Sequence, residues 1–393
     1  MTRILWLTQE SPDPTRGGGA LRQAGLLVEL ARRFDIDLLV AGSPPADHVA
    51  AAMRRVVLLP PRPPSRLQRA RGLVAPIART FVPEVDAARH VRRAMLRALT
   101  DEPDLTEATV TVATHLPLAP LLDRVPGAAV FHPFHVVAEQ LRGEAAQSGG
   151  LRRLRLLRYA SNAARLERWA VGTATATVAV SDDDAALLGD GDKGRVTVVP
   201  NAVELPPPAR FGPRPDEPIV LFPASLDYAP NSDGARWMAE AVWPAVHDIL
   251  PDARLLLVGR SPGPVIWALA GEHGVEVHGD VPDMADWLRQ SRVVVVPLRF
   301  GTGTRIKALE AMAAGRPVVG TTIGLAGLGI EDGVHAHIAD EPHRIADRII
   351  DALGPGGDAL VAPARQLVEA HHTWPVVADR LADTLDRLAL DAS

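Results

Sequence analysis

Twice along this chain, short runs of aliphatic and β-branched residues alternate with longer amphipathic stretches. "RILWLT" is strand-like, "GALRQAGLLVELARRF" has Leu26, Leu27, Leu30 and Phe34 at helical spacing, and "DIDLLV" is strand-like again. The series continues through "TVTVAT", "AAVF", "ATVAVS" and "RVTVVP". A second series runs through "PIVLFPAS", "ARLLLVG", "VEVHG", "RVVVVPL" and "RPVVGT". Strand–helix–strand alternation of this kind implies a parallel sheet covered by helices. Between the two series lies "PNAVELPPPARFGPRPDEP", too rich in proline for a helix or a central strand, which reads as a linker. A length of 393 residues also favours two cores over one. The expectation is two Rossmann-like domains, with ligands bound beyond the carboxyl ends of the strands in a cleft between them.

Composition narrows the class. Hydrophobic residues at 47% and charged residues at 23% fit a folded globular protein, and a net charge of −5 gives no call for nucleic acid. No apolar run is long enough to cross a bilayer, and the N-terminus lacks the long apolar centre of a signal peptide. The absence of cysteine agrees with a cytoplasmic protein.

The stretch "RFGTGTRIKALEAMAAGRPVVGTT", residues 299–322, carries the strongest chemical signal. It follows a strand-like run and places Gly301, Thr302, Gly303 and Thr304 ahead of a helix that bears Arg305, Lys307 and Glu310. A helix start offers free N–H groups and the positive pole of the helix dipole, which together favour an anion. The glycines let a phosphate approach the backbone, and the threonines can donate hydroxyls or cap the helix. Arg305 and Lys307 add full positive charge, and Glu310 can accept hydrogen bonds from a ribose diol. The alternative is a solvated helix face, with Glu310 in an intrahelical ion pair.

These residues resemble the nucleotide-sugar site of retaining glycosyltransferases with the two-domain GT-B fold, specifically the GT4 family (group 1 transferases). The resemblance extends to "VVPNAVE" at 198–204, "LFPASLDYAPNSDGARWM" at 221–238, "LLLVGRSPG", "GDVPDMADWL" at 279–288 with Val281, and "SPDPTRGGGALRQAGLLVELARRF" near the N-terminus. It implies an N-terminal acceptor-binding domain over 1–203, a C-terminal nucleotide-sugar domain over 204–374, and a final helix over 375–393 packing back on the first domain. It implies transfer of a sugar from a UDP-, GDP- or TDP-sugar with retained anomeric configuration, no cofactor beyond that donor, and no metal. The acceptor would be a small molecule or an envelope glycan or lipid. Two features depart from the family. The first of its two glutamates is Thr302 here, and the Arg and Lys that hold the diphosphate are Ser225 and Asn231. Arg305 and Lys307 are then the expected replacements. A non-catalytic nucleotide-sugar-binding protein is the alternative that these departures raise.

In the first half, Gly17, Gly18 and Gly19 resemble the family's glycine loop, which reaches the diphosphate or the acceptor, and Arg22, one turn into the following helix, is a candidate for the acceptor or sugar vicinity. His115 ends a strand, where an active-site residue belongs, and is expected to take part in catalysis with Arg305 and Lys307. His135 and Glu139, in "FHPFHVVAEQ", are candidates for the acceptor or sugar vicinity. The segment "RRLRLLRYASNAARLERW" sets Arg152, Arg153, Arg155, Arg158, Arg165 and Arg168 against the single Glu167. Such a helix can lie on an anionic inner membrane face, or it can pack by its apolar side with a solvated basic face. A second basic region, Arg62 to Arg97, offers the same pair of readings.

Overall fold

The computed structural model describes residues 1–59, 85, 87–189, 196–301, 303 and 305–391. The chain forms two compact units, Met1–Val199 joined by Val377 onward, and Pro200–Val376. Each unit is built on one parallel sheet.

In the first unit the strands are β1 (Arg3–Thr8), β2 (Asp35–Ala41), β3 (Arg55–Leu59), β4 (Val110–Thr114), β5 (Ala128–His132), β6 (Ala176–Ala179) and β7 (Val196–Val198), in the order β3-β2-β1-β4-β5-β6-β7. In the second they are β8 (Ile219–Ser225), β9 (Arg254–Arg260), β10 (Val275–Gly279), β11 (Val293–Val296), β12 (Val318–Gly320) and β13 (His337–Ile338), in the order β10-β9-β8-β11-β12-β13. Helices on both faces bury the strands, so the strands are continuous apolar runs rather than alternating ones. Leu255, Leu256 and Leu257 are fully buried in β9, each contributing about 2 kcal/mol of hydrophobic stabilisation.

Both sheets reverse direction of growth once. The first turns between β1 and β4, the second between β8 and β11. At such a switch point the loops leaving the two central strands part in opposite directions, opening a crevice beyond their carboxyl ends.

The proline-dense stretch is not a bare spacer. Val203 N–H donates to His372 O at 2.8 Å, and Phe211 sits in the hydrophobic core of the second unit. Arg214 donates to Ala352 O and Gly354 O at 2.8 and 2.7 Å, satisfying carbonyls at the end of the helix Pro342–Leu353. The final helix, Trp374–Asp391, sets Asp383 and Asp386 against Arg33 of the first unit, with Asp383 at 3.2 Å. The long basic helix is observed as Gly150–Thr173. Its buried Glu167 accepts the N–H groups of Val137 (2.7 Å) and Ala138 (3.3 Å), capping the helix Val137–Ala146. Burial pushes that carboxyl up to about 7 despite those two bonds.

Candidate active site

The chemistry in the second unit gathers at the switch point between β8 and β11. β8 ends at Ser225, and the helix Ala229–Trp237 follows at once. Gly234 of that helix runs so close to the strand exit that a Cβ would lie 2.7 Å from Pro297 O. β11 ends at Val296, and the chain turns through Gly301 and Gly303, at φ +118° and +77°, into the helix Ile306–Ala313. Both turns lie in the backbone region that favours glycine.

Lys307, from this second segment, reaches the first. Lys307 Nζ donates to Asn231 Oδ1 at 2.8 Å and lies 4.6 Å from the centre of the Phe222 ring. Asn231 Nδ2 in turn donates to Ser225 O at 2.8 Å. No ion pair reaches Lys307 among the described residues, and burial, aided by the neighbouring Arg305 charge, pulls its amine down to about 7. Arg305 is 9% exposed and caps the helix with an extended backbone, so it precedes the first turn rather than sitting on it. A Cβ on Gly301 would lie 3.0 Å from its Nη2. Glu310 lies partly buried on the same helix, and burial raises its carboxyl, opposed by Lys307. Among the described residues no ion pair joins Glu310 to Arg305 or Lys307, so the intrahelical pair of the alternative is not formed. Thr302 and Thr304 lie outside the described residues. Val281 packs partly buried against the core, next to Asp280 at φ +53°.

Arg299, at the same rim, differs. Its guanidinium is clamped on Asp233 at 2.8 and 2.6 Å and lies 5.5 Å from the Trp237 ring centre, so its charge is matched locally.

The first unit places its candidates at its own switch point. His115 directly follows β4 and adopts φ +64°, a conformation rare outside glycine that must be held by its surroundings. Its Nδ1 lies 3.1 Å from Thr114 Oγ1, whose proton goes to Leu7 O at 3.0 Å. Its Nε2 lies 3.3 Å from Glu10 Oε2, just beyond β1. The ring is thus pinned between two oxygens and packs edge-on against Phe134, with centroids 4.3 Å apart. Glu10 was not apparent from sequence. It reaches His115 only because β1 and β4 are parallel neighbours with their carboxyl ends side by side. Gly17 precedes the helix Gly18–Leu30, and a Cβ on Gly19 would stand 2.8 Å from Glu10 Oε2. Gly18 is exposed at the helix start. His135 is partly exposed and lines a small hollow with His115, Phe134 and Gln9.

Arg22 and Glu139 both have protein partners where they stand. Arg22 lies inside the first unit. It is 1% exposed, and donates to Val199 O at 2.6 Å and to His132 Nε2 at 3.3 Å. Burial pulls its guanidinium down to about 9. Glu139 is engaged by Arg142 at 2.9 Å across one helical turn instead of standing free beside His135. The second basic region falls partly outside the described residues.

Residues 217–354 match the family model described as glycosyl transferases group 1. Over 161 residues the chain is 30% identical to phosphatidyl-myo-inositol mannosyltransferase of Mycobacterium leprae (strain TN), an alignment spanning 38% of this chain and 42% of that protein. Among solved structures, sucrose-phosphate synthase from Thermosynechococcus elongatus superposes with a TM-score of 0.73 at 18% identity over 100% of both chains. HepE of Anabaena, solved in complex with UDP and glucose, superposes with a TM-score of 0.65 at 16% identity over 98% of this chain and 100% of that one.

Proposed function

We propose that this chain is a retaining glycosyltransferase of the GT4 type, since residues 217–354 match the group 1 glycosyltransferase model and the chain has the GT-B fold. It would take a sugar from a UDP-, GDP- or TDP-sugar. The observation that carries this reading is the amine of Lys307, partly buried on Asn231 at the β8–β11 switch point, next to Arg305 and without an ion pair among the described residues. An unbalanced, desolvated cation at a sheet's carboxyl edge is suited to a bound anion.

The reaction needs little from the protein beyond charge and position. The acceptor hydroxyl attacks the anomeric carbon from the face that the diphosphate leaves. The bond from that carbon to the phosphate oxygen breaks, the new glycosidic bond forms, and the hydroxyl proton passes to the departing phosphate. Negative charge on the diphosphate is greatest as the bond breaks, so donors already in place lower the barrier. Lys307, Arg305 and the N–H groups at the start of Ile306–Ala313 take that role, with no metal called for. Glu310 is assigned to the ribose, and His115, steadied by Glu10, to the transferred sugar or the acceptor hydroxyl. Gly18 and Gly19 are kept as candidates for backbone approach.

The acceptor side has one observation of its own. On the helix Gly150–Thr173, Leu151, Leu154 and Leu157 are 85%, 65% and 41% exposed, among exposed Arg152, Arg153, Arg155, Arg158, Arg165 and Arg168. Apolar side chains within a basic face suit an anionic bilayer surface, which favours a lipid or envelope-glycan acceptor over a free small molecule.

The test is a thermal-shift screen of UDP, GDP and TDP and their sugars, followed by NMR of the product's anomeric proton. A shift with one diphosphate series and an anomer matching the donor are expected. Absence of any shift, or an inverted product, overturns the reading. Salt-sensitive sedimentation with anionic vesicles separates the acceptor classes.

A further inference from the structure

β8 brings no cation to its own carboxyl end, where it closes on Ser225. Its neighbour does. Arg260 ends β9 in register with Ser225 and is exposed at the sheet edge. Its Nη2 donates to Ser225 Oγ at 3.0 Å.

The backbone around Arg260 is built for this placement. Gly259 has φ +151°, and a Cβ there would fall 1.7 Å from Ala224 O. Only glycine lets β9 press so close to β8 one residue before the arginine emerges. Beyond it, Ser261 takes φ +52° and donates its N–H to Asp280 Oδ1 at 2.9 Å, while Asp280 N–H returns to Gly259 O at 2.8 Å. The turn leaving Arg260 is therefore fastened on both sides.

Ser225 is then the middle of a continuous row. Arg260 holds its hydroxyl, Asn231 holds its carbonyl at 2.8 Å, and Lys307 holds Asn231 at 2.8 Å. Two cations from different elements stand at the ends of a row of neutral polar groups, across the mouth of the switch point. Ser225 and Asn231, which carry no charge, anchor the charges on either side.

We propose that Arg260 is a diphosphate-binding residue of this site, gripping the nucleoside diphosphate from the β9 side while Lys307 grips it from the helix side. This rests on the nucleotide-sugar reading above. A guanidinium presents its donors in a rigid fork that matches phosphate oxygens, and the bond to Ser225 aims the group. Arg299 lies on the same rim but is spent on Asp233, so it is not the equivalent grip.

The experiment is calorimetric binding of UDP, GDP and TDP, and of uridine, guanosine and thymidine, to the full chain and its variants. Arg260→Ala is expected to weaken the preferred diphosphate by roughly 10- to 100-fold and the matching nucleoside by less than about 2-fold. Ser225→Arg in the Arg260→Ala background puts the guanidinium one strand over, and should recover at least about half of that loss on a logarithmic scale. Melting curves on each variant check the fold, and the exposed position of Arg260 makes collapse an unexpected result. Diphosphate affinity unchanged in Arg260→Ala, or equal losses for diphosphate and nucleoside, overturns the role of Arg260 and leaves the donor reading standing. A parent chain that binds none of the three diphosphates overturns the donor reading and this inference with it.

Discussion

Replacing Lys307 by methionine should make the empty protein more stable and the site worse. The amine is held down to about 7, against 10.5 for a free lysine, mainly by burial. At 1.36 kcal/mol per pKa unit, that gap caps the cost of the charged state at about 5 kcal/mol. The sign follows from proton counts. Between about 7 and 10.5 the unfolded chain holds a proton at this lysine that the folded chain does not. Stability from this group is therefore present above 10.5, is lost as pH falls, and is fully lost below 7. From pH 6 to pH 9 the cost of carrying Lys307 shrinks by roughly 2–3 kcal/mol. Methionine fills similar space beside Phe222 with no charge to desolvate. The assay is urea unfolding of parent and variant at both pH values, compared as a difference so that other titrating groups cancel. Lys307→Met should gain stability at pH 6, and its advantage should narrow by about 2 kcal/mol at pH 9. The same variant should bind the preferred nucleoside diphosphate roughly 10- to 100-fold more weakly. A variant less stable than the parent at pH 6, or an advantage that does not depend on pH, would refute the desolvated-cation argument at its root.

Four other substitutions probe the remaining parts. Glu310→Gln should weaken nucleoside and diphosphate alike, by roughly 3- to 30-fold; a loss confined to the diphosphate would move Glu310 off the ribose. His115→Ala should lower kcat by roughly 10- to 1000-fold with donor affinity nearly unchanged, and Glu10→Gln should show a smaller loss of the same kind; intact turnover at saturating acceptor would make the pair structural. Glu167→Gln should change stability oppositely to Lys307→Met along the pH axis. The raised carboxyl stabilises the fold while protonated, below about 4.5, and loses that benefit as pH rises through about 7. The glutamine variant should therefore gain on the parent between pH 5 and pH 8, and a constant difference in melting temperature would show that Glu167 is not desolvated as placed.

What sequence made legible follows from how locally each feature is encoded. Strands covered on both faces are unbroken apolar runs, and most of the central ones could be read directly. β3 gives no such signal, because Arg55–Leu59 is a half-exposed edge strand. The proline-dense stretch was readable as neither helix nor strand, yet nothing local announced that Phe211 would enter the second core. Arg305, Lys307 and Glu310 lie within six positions on one turn and helix, so their grouping needed no tertiary knowledge. Glu10 with His115 and Arg260 with Ser225 meet only through the register of parallel strands, and sequence spacing carries no trace of that. Arg22 is different, because its burial was in principle visible. It stands four and eight positions before Leu26 and Leu30, on the face that packs inward.

The two switch points share a geometric advantage and differ in the side chains placed on it. Every helix that follows a parallel strand starts at the carboxyl edge of the sheet, so both edges offer partial positive charge. In the second unit, side chains add to that field: Arg305 and Lys307 on one side of the crevice and Arg260 on the other, joined through neutral Ser225 and Asn231. In the first unit a side chain opposes it, since Glu10 lies against the start of Gly18–Leu30 and beside His115. Under the proposed function, the second unit would hold the charged donor through these cations, and the first would offer Glu10 and His115 to a neutral hydroxyl-bearing group.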